Sequence, residues 1–526
     1  MKSIILLIFI LSCNSVFSQQ WVTSQNPIFH GNFPKPQVGV QYNDAHFGTQ
    51  ITRITNARGS QIPGIIPNYS KRQAWNYGET YLMLQSGNGI FRLYSGEAPY
   101  QFIKILQNVE GEDVFWHPTN PNVIIYNNGN TLYSYNVTTE QSTLIKEFGT
   151  YLYANTRGEG NLSNDGRYYA FVGRYTDTTF NTLNVYDFNT NTVISSLTLP
   201  NTLADFDWVS ISPLGNYVVV DYADQITGRY HGVEVYTRNF NFLWQKPLGA
   251  GHSDIGIDAN GNEYLVMCRY DGDSNKNYLN KYLLSNGQTT TLLVMSPLFD
   301  MHISCRNEQQ RNYCFVSTFD YVGRLTADSA SWLPFENEVF AVKLTGSKQV
   351  ARIAHHHSRR FSPITPDPDN SVYWAEPHAT VSREGKRMLW GSNWEQVMQS
   401  DSSCDTYVCN FRNFPPLAVK TNSTEIPESF TLYQNYPNPF NPVTNIKFEI
   451  PNSTVIARSG ATWQSHRITL KIFDILGKEI ETLVDENLSP GNYQIAFNAA
   501  NFPSGVYFYR LFTENFYDSK KMLLIK

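Results

Sequence analysis

The sequence is short of charge and of long apolar runs. Charged residues make up only 16% of the chain, and its net charge of −5 is scattered without a block of either sign. That distribution excludes the basic patch or stripe on which nucleic-acid binding depends. After the first eighteen residues no apolar stretch reaches the roughly 20 residues that a membrane-spanning helix needs. Cysteine is scarce, 6 among 526 residues, and none stands in a CxxC pair or at zinc-ligand spacing. GxSxG, HExxH and a Gly-rich loop followed by Lys-Ser/Thr are missing too. Nucleophile-elbow hydrolysis, zincin chemistry and P-loop phosphate binding therefore have no signature here.

Aromatic residues are plentiful at 14%, with 33 Tyr, 32 Phe and 33 Gly. That mixture favours strands joined by tight turns, and the length implies two or three folded units. Residues 1–18 read as a signal peptide. Lys2 supplies the positive region, Ile4 to Leu11 the apolar one, and Val16-Phe17-Ser18 the small-residue site before Gln19. A lipoprotein acceptor at Cys13 is the alternative, at the expense of a very short signal. Export to an oxidising compartment makes two local disulfides candidates, Cys305–Cys314 and Cys404–Cys409, with Cys268 a buried free thiol.

Between about 45 and 412 the sequence repeats loosely. A strand, a polar turn and a second strand recur around Tyr94, Tyr135, Tyr186, Tyr236 and Tyr282, with weaker versions at Val342 and Tyr407. Another hairpin precedes several of these, its turn glycine being Gly166, Gly215, Gly261 or Gly385. Two hairpins per repeat make a four-stranded unit. The expected fold is all-β: a seven-bladed β-propeller over 19–414, with the strand 50–56 completing its last blade. A linker at 415–429 and a small antiparallel immunoglobulin-like β-sandwich at 430–526 would follow. Tandem β-sandwiches, or six or eight blades, remain alternatives.

The C-terminal region carries the most specific motif. FTLYQNYPNPFNPVTNIKFEIP (430–451) is followed by LKIFDILGKEIETLV, SPGNYQIAFNA and PSGVYFYRL. Its prolines fix φ and remove donors, so the segment reads as a rigid extended edge, and the later runs alternate as half-buried strands do. Through Asn435, Pro437, Asn438, Pro439, Phe440, Asn441, Pro442, Gly477 and Gly505 the region resembles the type A sorting domain of type IX secretion. The insertion IARSGATWQSHR (456–467) departs from that pattern and reads as a surface loop. The resemblance implies export through the periplasm of a diderm bacterium and passage across the outer membrane by the type IX machinery. A sortase-like peptidase would remove the domain, leaving the cargo released or attached at the cell surface.

Candidate ligand residues come from counting back from the turn glycines. Seven residues earlier stand Glu159, Trp208, Asp254 and His378, and nine earlier His252 and Glu376. His302 occupies an equivalent place in FDMHISCRN. The run AHHHSRR adds His355 and His357, which alternation points to one face, and Arg359 toward an anionic ligand. Imidazoles and carboxylates converging from different repeats suit a divalent metal, Mn or Ca. The segment WAEPHATVSREGKRMLWGSNW (374–394) resembles the propellers of oligogalacturonate lyases, through Glu376-Pro377-His378 and the Ser-x-x-Gly turn. That resemblance implies a metal that acidifies the proton beside a uronate carboxylate, with no base assignable here. General WD40-like propellers share the turn. Two functions stand: a surface module binding a glycan or protein ligand at the channel mouth, or a metal-dependent uronate lyase or other carbohydrate-active enzyme. DGDSNKN (271–277) reads as a hairpin tip, since Lys276 stands where an EF-hand needs Gly.

Overall fold

The computed structural model describes residues 22–31, 33–57, 64–176, 179–200, 206–222, 228–269, 275–320, 332–359, 371–394, 403–411, 420–421, 427–451, 466–488, 490–499, 502–513 and 516–526. The segment 1–18, the tip 271–274, most of the 415–429 linker and residues 456–465 of the insertion lie outside them.

Between Ile65 and His355 six four-stranded antiparallel sheets follow one another, each with its strands in chain order. The turn glycines do the work expected of them. Gly215 has φ +72° and donates its N–H to Ser212 O at 2.8 Å, while Tyr217 N donates to Ser212 Oγ at 2.9 Å. A Cβ at Gly215 would also meet Tyr168 Cδ2 at 2.5 Å, so this turn requires glycine twice over.

In most of these sheets burial falls from the first strand to the fourth; Val350–His355, buried throughout, is an exception. The first strands Trp208–Ile211 and Asp254–Ile257 are buried throughout, whereas a fourth strand such as Thr192–Thr198 is largely exposed. Neighbouring sheets share their cores. Val172, Leu183, Val209 and Val220 form one cluster, and Trp208, Val235, Ile255 and Leu265 the next. A five-stranded sheet joins distant ends of this region, with the order Gln41–Asn43, Gln50–Arg53, Asp405–Asn410, Arg387–Ser392, Thr380–Val381. Ile51 stands opposite Cys409, so residues 50–53 do complete a late sheet. Leu389 and Val408 of that sheet pack with Ile65, Leu82 and Leu84.

The last hundred residues form two further sheets. Val443–Ile450 pairs with Gly491–Asn498, and His466–Phe473 lies between Glu479–Leu488 and Gly505–Phe512. Ile446, Phe448, Ile495 and Phe497 of one sheet share a core with Leu470, Ile472, Tyr509 and Leu511 of the other.

Two expectations are corrected. The seven-bladed β-propeller, its WD40-like likeness and the immunoglobulin-like label give way to an all-β chain of small, open antiparallel sheets. Pairing among the described residues stops at each outer strand, and no sheet is curled or closed on itself. Repeat spacing counts the strands in a unit but carries no information about closure. The disulfides are corrected as well. Cys268, Cys305, Cys314 and Cys409 are free thiols. Cys404 and Cys409 sit at the two ends of one extended segment, separated by roughly 16 Å at 3.3 Å per residue, beyond disulfide reach.

Candidate metal centre

The starts of several first strands converge. His252 precedes Asp254–Ile257, His302 lies on Phe299–Ser304, and Glu376 and His378 precede Thr380–Val381. One ligand atom each from His252, His302 and Glu376 falls within 4.8 Å of the others. His302 Nε2 is 3.5 Å from Glu376 Oε2, and the His302 ring is 4.4 Å from that of His252 and 4.3 Å from that of His378. Among the described residues this is the one group of three such side chains able to share an ion. Two imidazoles and a carboxylate this close suit a divalent cation, whose ligands at about 2.1 Å stand roughly 3 to 4.2 Å apart, so a small side-chain shift closes the group on the ion.

Aromatic rings wall the group. The Tyr69 hydroxyl is 2.8 Å from His252 Nδ1, and its ring touches His302 and His378. Phe319 stacks on His302 with centroids 5.1 Å apart, and Tyr373 packs on His378 at 4.7 Å. Complete burial, with the neighbouring His252 adding to it, pulls His378 down to about 3, so its ring is neutral. Burial raises the Tyr69 phenol well above its usual value, the Glu159 charge adding to it.

Beside the histidines lies a buried lysine. Lys71 Nζ is 2.5 Å from Glu159 Oε2, 3.4 Å from the Gly251 carbonyl and 4.1 Å from the centre of the Trp208 ring. Burial raises the Asp207 and Asp221 carboxyls, each also pushed up by another acid: Glu159 for Asp207, and Asp207 for Asp221. Sequence counting found Glu159 and Trp208 but missed Lys71, Tyr69, Phe319 and Tyr373. The one available signal was the charged pair Lys71-Arg72 inside a segment lacking strand alternation.

Four expected ligand residues lie elsewhere. Asp254 is held by Arg306, with Arg306 Nη2 to Asp254 Oδ1 at 2.7 Å. His355 and His357 belong to a second histidine group with His30 and His46, under Trp332 and Trp394. There His355 Nε2 lies 2.8 Å from the Ile28 carbonyl and its Nδ1 3.8 Å from Asp44. Arg359 is tied through its backbone to Asn393, next to Trp394. The strand Val350–His355 ends at His355 and His357 follows it at φ +51°, so strand alternation does not account for the neighbourhood the two share.

The sorting motif divides into buried and displayed residues. Asn435 and Phe440 are buried, while Tyr436, Pro437, Asn438, Pro439 and Asn441 are exposed. Phe440 N donates to Leu523 O and its carbonyl accepts from Ile525 N, fastening the motif to the terminal strand. Gly477, at φ +80°, closes a turn on Asp474, and Gly505 opens the strand Gly505–Phe512.

Two packed sheets fastened by a proline-rich edge define an appended C-terminal module. Residues 434–526 match the family of secretion system C-terminal sorting domains, that of type IX secretion. None of the curated proteins matches the chain. Solved structures similar to it include one of Kluyveromyces lactis Hsv2, at 12% identity and a TM-score of 0.29, covering 54% of this chain and 75% of that one. Another is titled "KlHsv2 with loop 6CD replaced by a Gly-Ser linker", at 11% identity and a TM-score of 0.32, covering 62% of this chain and 89% of that one. Likenesses at that level carry no argument. Among the described residues no helix is long and apolar enough to cross a membrane. The chain thus carries the sorting module of a secreted or surface protein.

Proposed function

We propose that this chain is an exported surface protein that holds a divalent cation at His252, His302 and Glu376 and presents it to a glycan ligand. The convergence of three ligand atoms from three distant stretches of sequence within 4.8 Å carries the reading. Two imidazole nitrogens favour an ion such as Mn2+ over Ca2+, which prefers oxygen donors. Tyr373 beside the group, 36% exposed, supplies a face for sugar packing. The type IX route supplies the location, with the machinery's sortase-like peptidase as the partner that trims the module.

Elemental analysis of the purified full chain after Mn2+ loading and dialysis tests this. About one equivalent is expected in the parent and a background level in His302→Ala. A loaded parent with no metal above background would sink the reading.

Three protein ligands leave coordination positions open, and that favours a second reading, a metal-dependent uronate lyase. Absorbance from unsaturated uronate products, present in the parent and lost in His302→Ala, separates the enzyme from the binder.

A further inference from the structure

First strands that begin at the metal centre end at a second site. After Asp254–Ile257 begins next to His252, its Gly256 and Ile257 line a cavity; Cys305 and Arg306 follow the strand of His302, and Arg383 follows the strand preceded by Glu376. About 640 Å³ of space lies there, part of it open to solvent. The segment Tyr69–Gln73 connects the two ends, with Tyr69 at the histidines and Arg72 and Gln73 at the cavity.

The lining has an excess of cations. Arg72, Arg306, Arg311 and Arg383 all border the cavity, against one carboxylate, Glu308. Arg72 is braced from behind by Asp113 at 2.8 Å and lies 4.1 Å over the Phe115 ring. Arg383 is paired with Glu308. Even so, Arg72 Nη1 and Arg383 Nε are buried with no hydrogen-bond partner among the described residues, and the two residues are only 3% and 8% exposed. A guanidinium N–H can only donate, so each of these atoms needs an acceptor that the protein does not supply. Arg311 is half-buried, and its Nε donates to the Glu308 carbonyl at 2.8 Å.

We propose that this cavity binds a small oxyanion, sulfate-like or a sugar carboxylate, at a site separate from the metal centre. Planar guanidinium forks held by Asp113, Asp254 and Glu308 match a flat or tetrahedral oxyanion through paired donors. Gln73, Asn161 and Asn164 in the lining supply the polar surface a sugar would meet.

Titration calorimetry on the full chain, treated with EDTA so that the metal centre is out of play, tests it. Sodium sulfate, glucuronate and neutral glucose are compared at constant ionic strength. One or both anions bind and glucose does not; sulfate alone identifies a free ion as the ligand, and glucuronate alone a carboxylated sugar. Arg383→Gln would strand the Glu308 charge and endanger folding, so the variant is Arg311→Gln, whose side chain has only a main-chain partner. Loss of one charged donor weakens the anion by about tenfold or more. No heat with either anion, glucose binding equal to glucuronate, or unchanged anion affinity in Arg311→Gln overturns the proposal.

Discussion

The Tyr69 hydroxyl stands 2.8 Å from Nδ1 of His252, a residue 183 positions later in the chain. This contact decides which imidazole nitrogen is available. If Nδ1 keeps the proton and donates it to the phenol oxygen, Nε2, which also lies 3.9 Å from Asp300 Oδ2, is the nitrogen left with a lone pair for an ion. Tyr69 therefore orients a ligand without being one. Tyr69→Phe is expected to weaken Mn2+ binding by about 10- to 100-fold while the unfolding temperature stays near that of the parent. Competition titration with a chelating dye reads the affinity. Unchanged affinity would mean that the tautomer is set by something else.

Lys71 offers a stability test. Its ammonium is buried between Glu159, the Gly251 carbonyl and the Trp208 face. Lys71→Met keeps the apolar stem but strands Glu159 among Asp207 and Asp221. Breaking such a pair on one side costs about 3 kcal/mol. The calorimetric transition of the N-terminal sheets should fall by several degrees. The double variant Lys71→Met, Glu159→Gln should recover part of the loss, because the stranded charge is gone.

The thiols give a chemical check. Burial pushes Cys314 up to about 12 and raises Cys268, Cys305 and Cys409 as well. None presents a thiolate at neutral pH, so a thiol reagent should find them silent in the folded protein. On unfolding without reductant, Cys305 and Cys314 should both react. Mapping the labelled peptides by mass spectrometry checks this, and silence of that pair alone would restore the disulfide.

Much of the architecture was legible because it is local. Period-2 alternation and Ser-x-x-Gly turns mark hairpins, and counting back from Gly261 and Gly385 lands on His252, Glu376 and His378, which do meet. Closure was not legible, because hairpin spacing is the same whatever the sheets do next. Tyr69 and Lys71 escaped for a related reason. Their partners lie 88 to 183 residues away, and only packing brings them together. His355 and His357 show the limit of alternation: the strand stops at His355, and His357 beyond it, at φ +51°, no longer follows the period of two.

That second histidine group predicts acid sensitivity. Burial, then the charges of His30 and His355, hold His357 well below 6.5, so the folded state keeps it neutral. Its contribution is fully present above the ordinary histidine value and is lost as pH falls below it, because the unfolded chain takes the proton first. Asp44 acts lower down. Burial raises its pKa, but the hydrogen bond and charge of His355 and the His46 and Phe47 amides outweigh it, leaving about 2. The corresponding stabilisation, about 2 kcal/mol, is present above the usual aspartate value and lost as pH falls from there toward 2. Glu338, Arg352, His30 and His46 share the site. Melting temperatures from pH 7 to 5 should fall more steeply in the parent than in His357→Phe. Parallel curves would remove His357 as the cause.

Export can be tested at two neighbouring residues of opposite kind. Asn435 is 2% exposed; its Nδ2 donates to Thr444 Oγ1 at 2.9 Å and to the Pro437 carbonyl at 3.1 Å, and its N–H reaches the Tyr509 hydroxyl at 2.7 Å. Asn435→Ala removes the donor to the buried Thr444 hydroxyl oxygen, costing about 1 to 2 kcal/mol, and should lower both the unfolding midpoint of the C-terminal sheets and the amount of protein outside the cell. Tyr436 is 81% exposed, so Tyr436→Ala should leave that midpoint unchanged. If export of Tyr436→Ala falls while its stability holds, the machinery reads the displayed ring itself; if export holds, the motif acts through the fold that Asn435 fixes. Immunoblots of periplasm against surface and medium give the readout, and removal of 430–526 should leave the remainder in the periplasm. Normal delivery of that truncated chain would refute the sorting role outright.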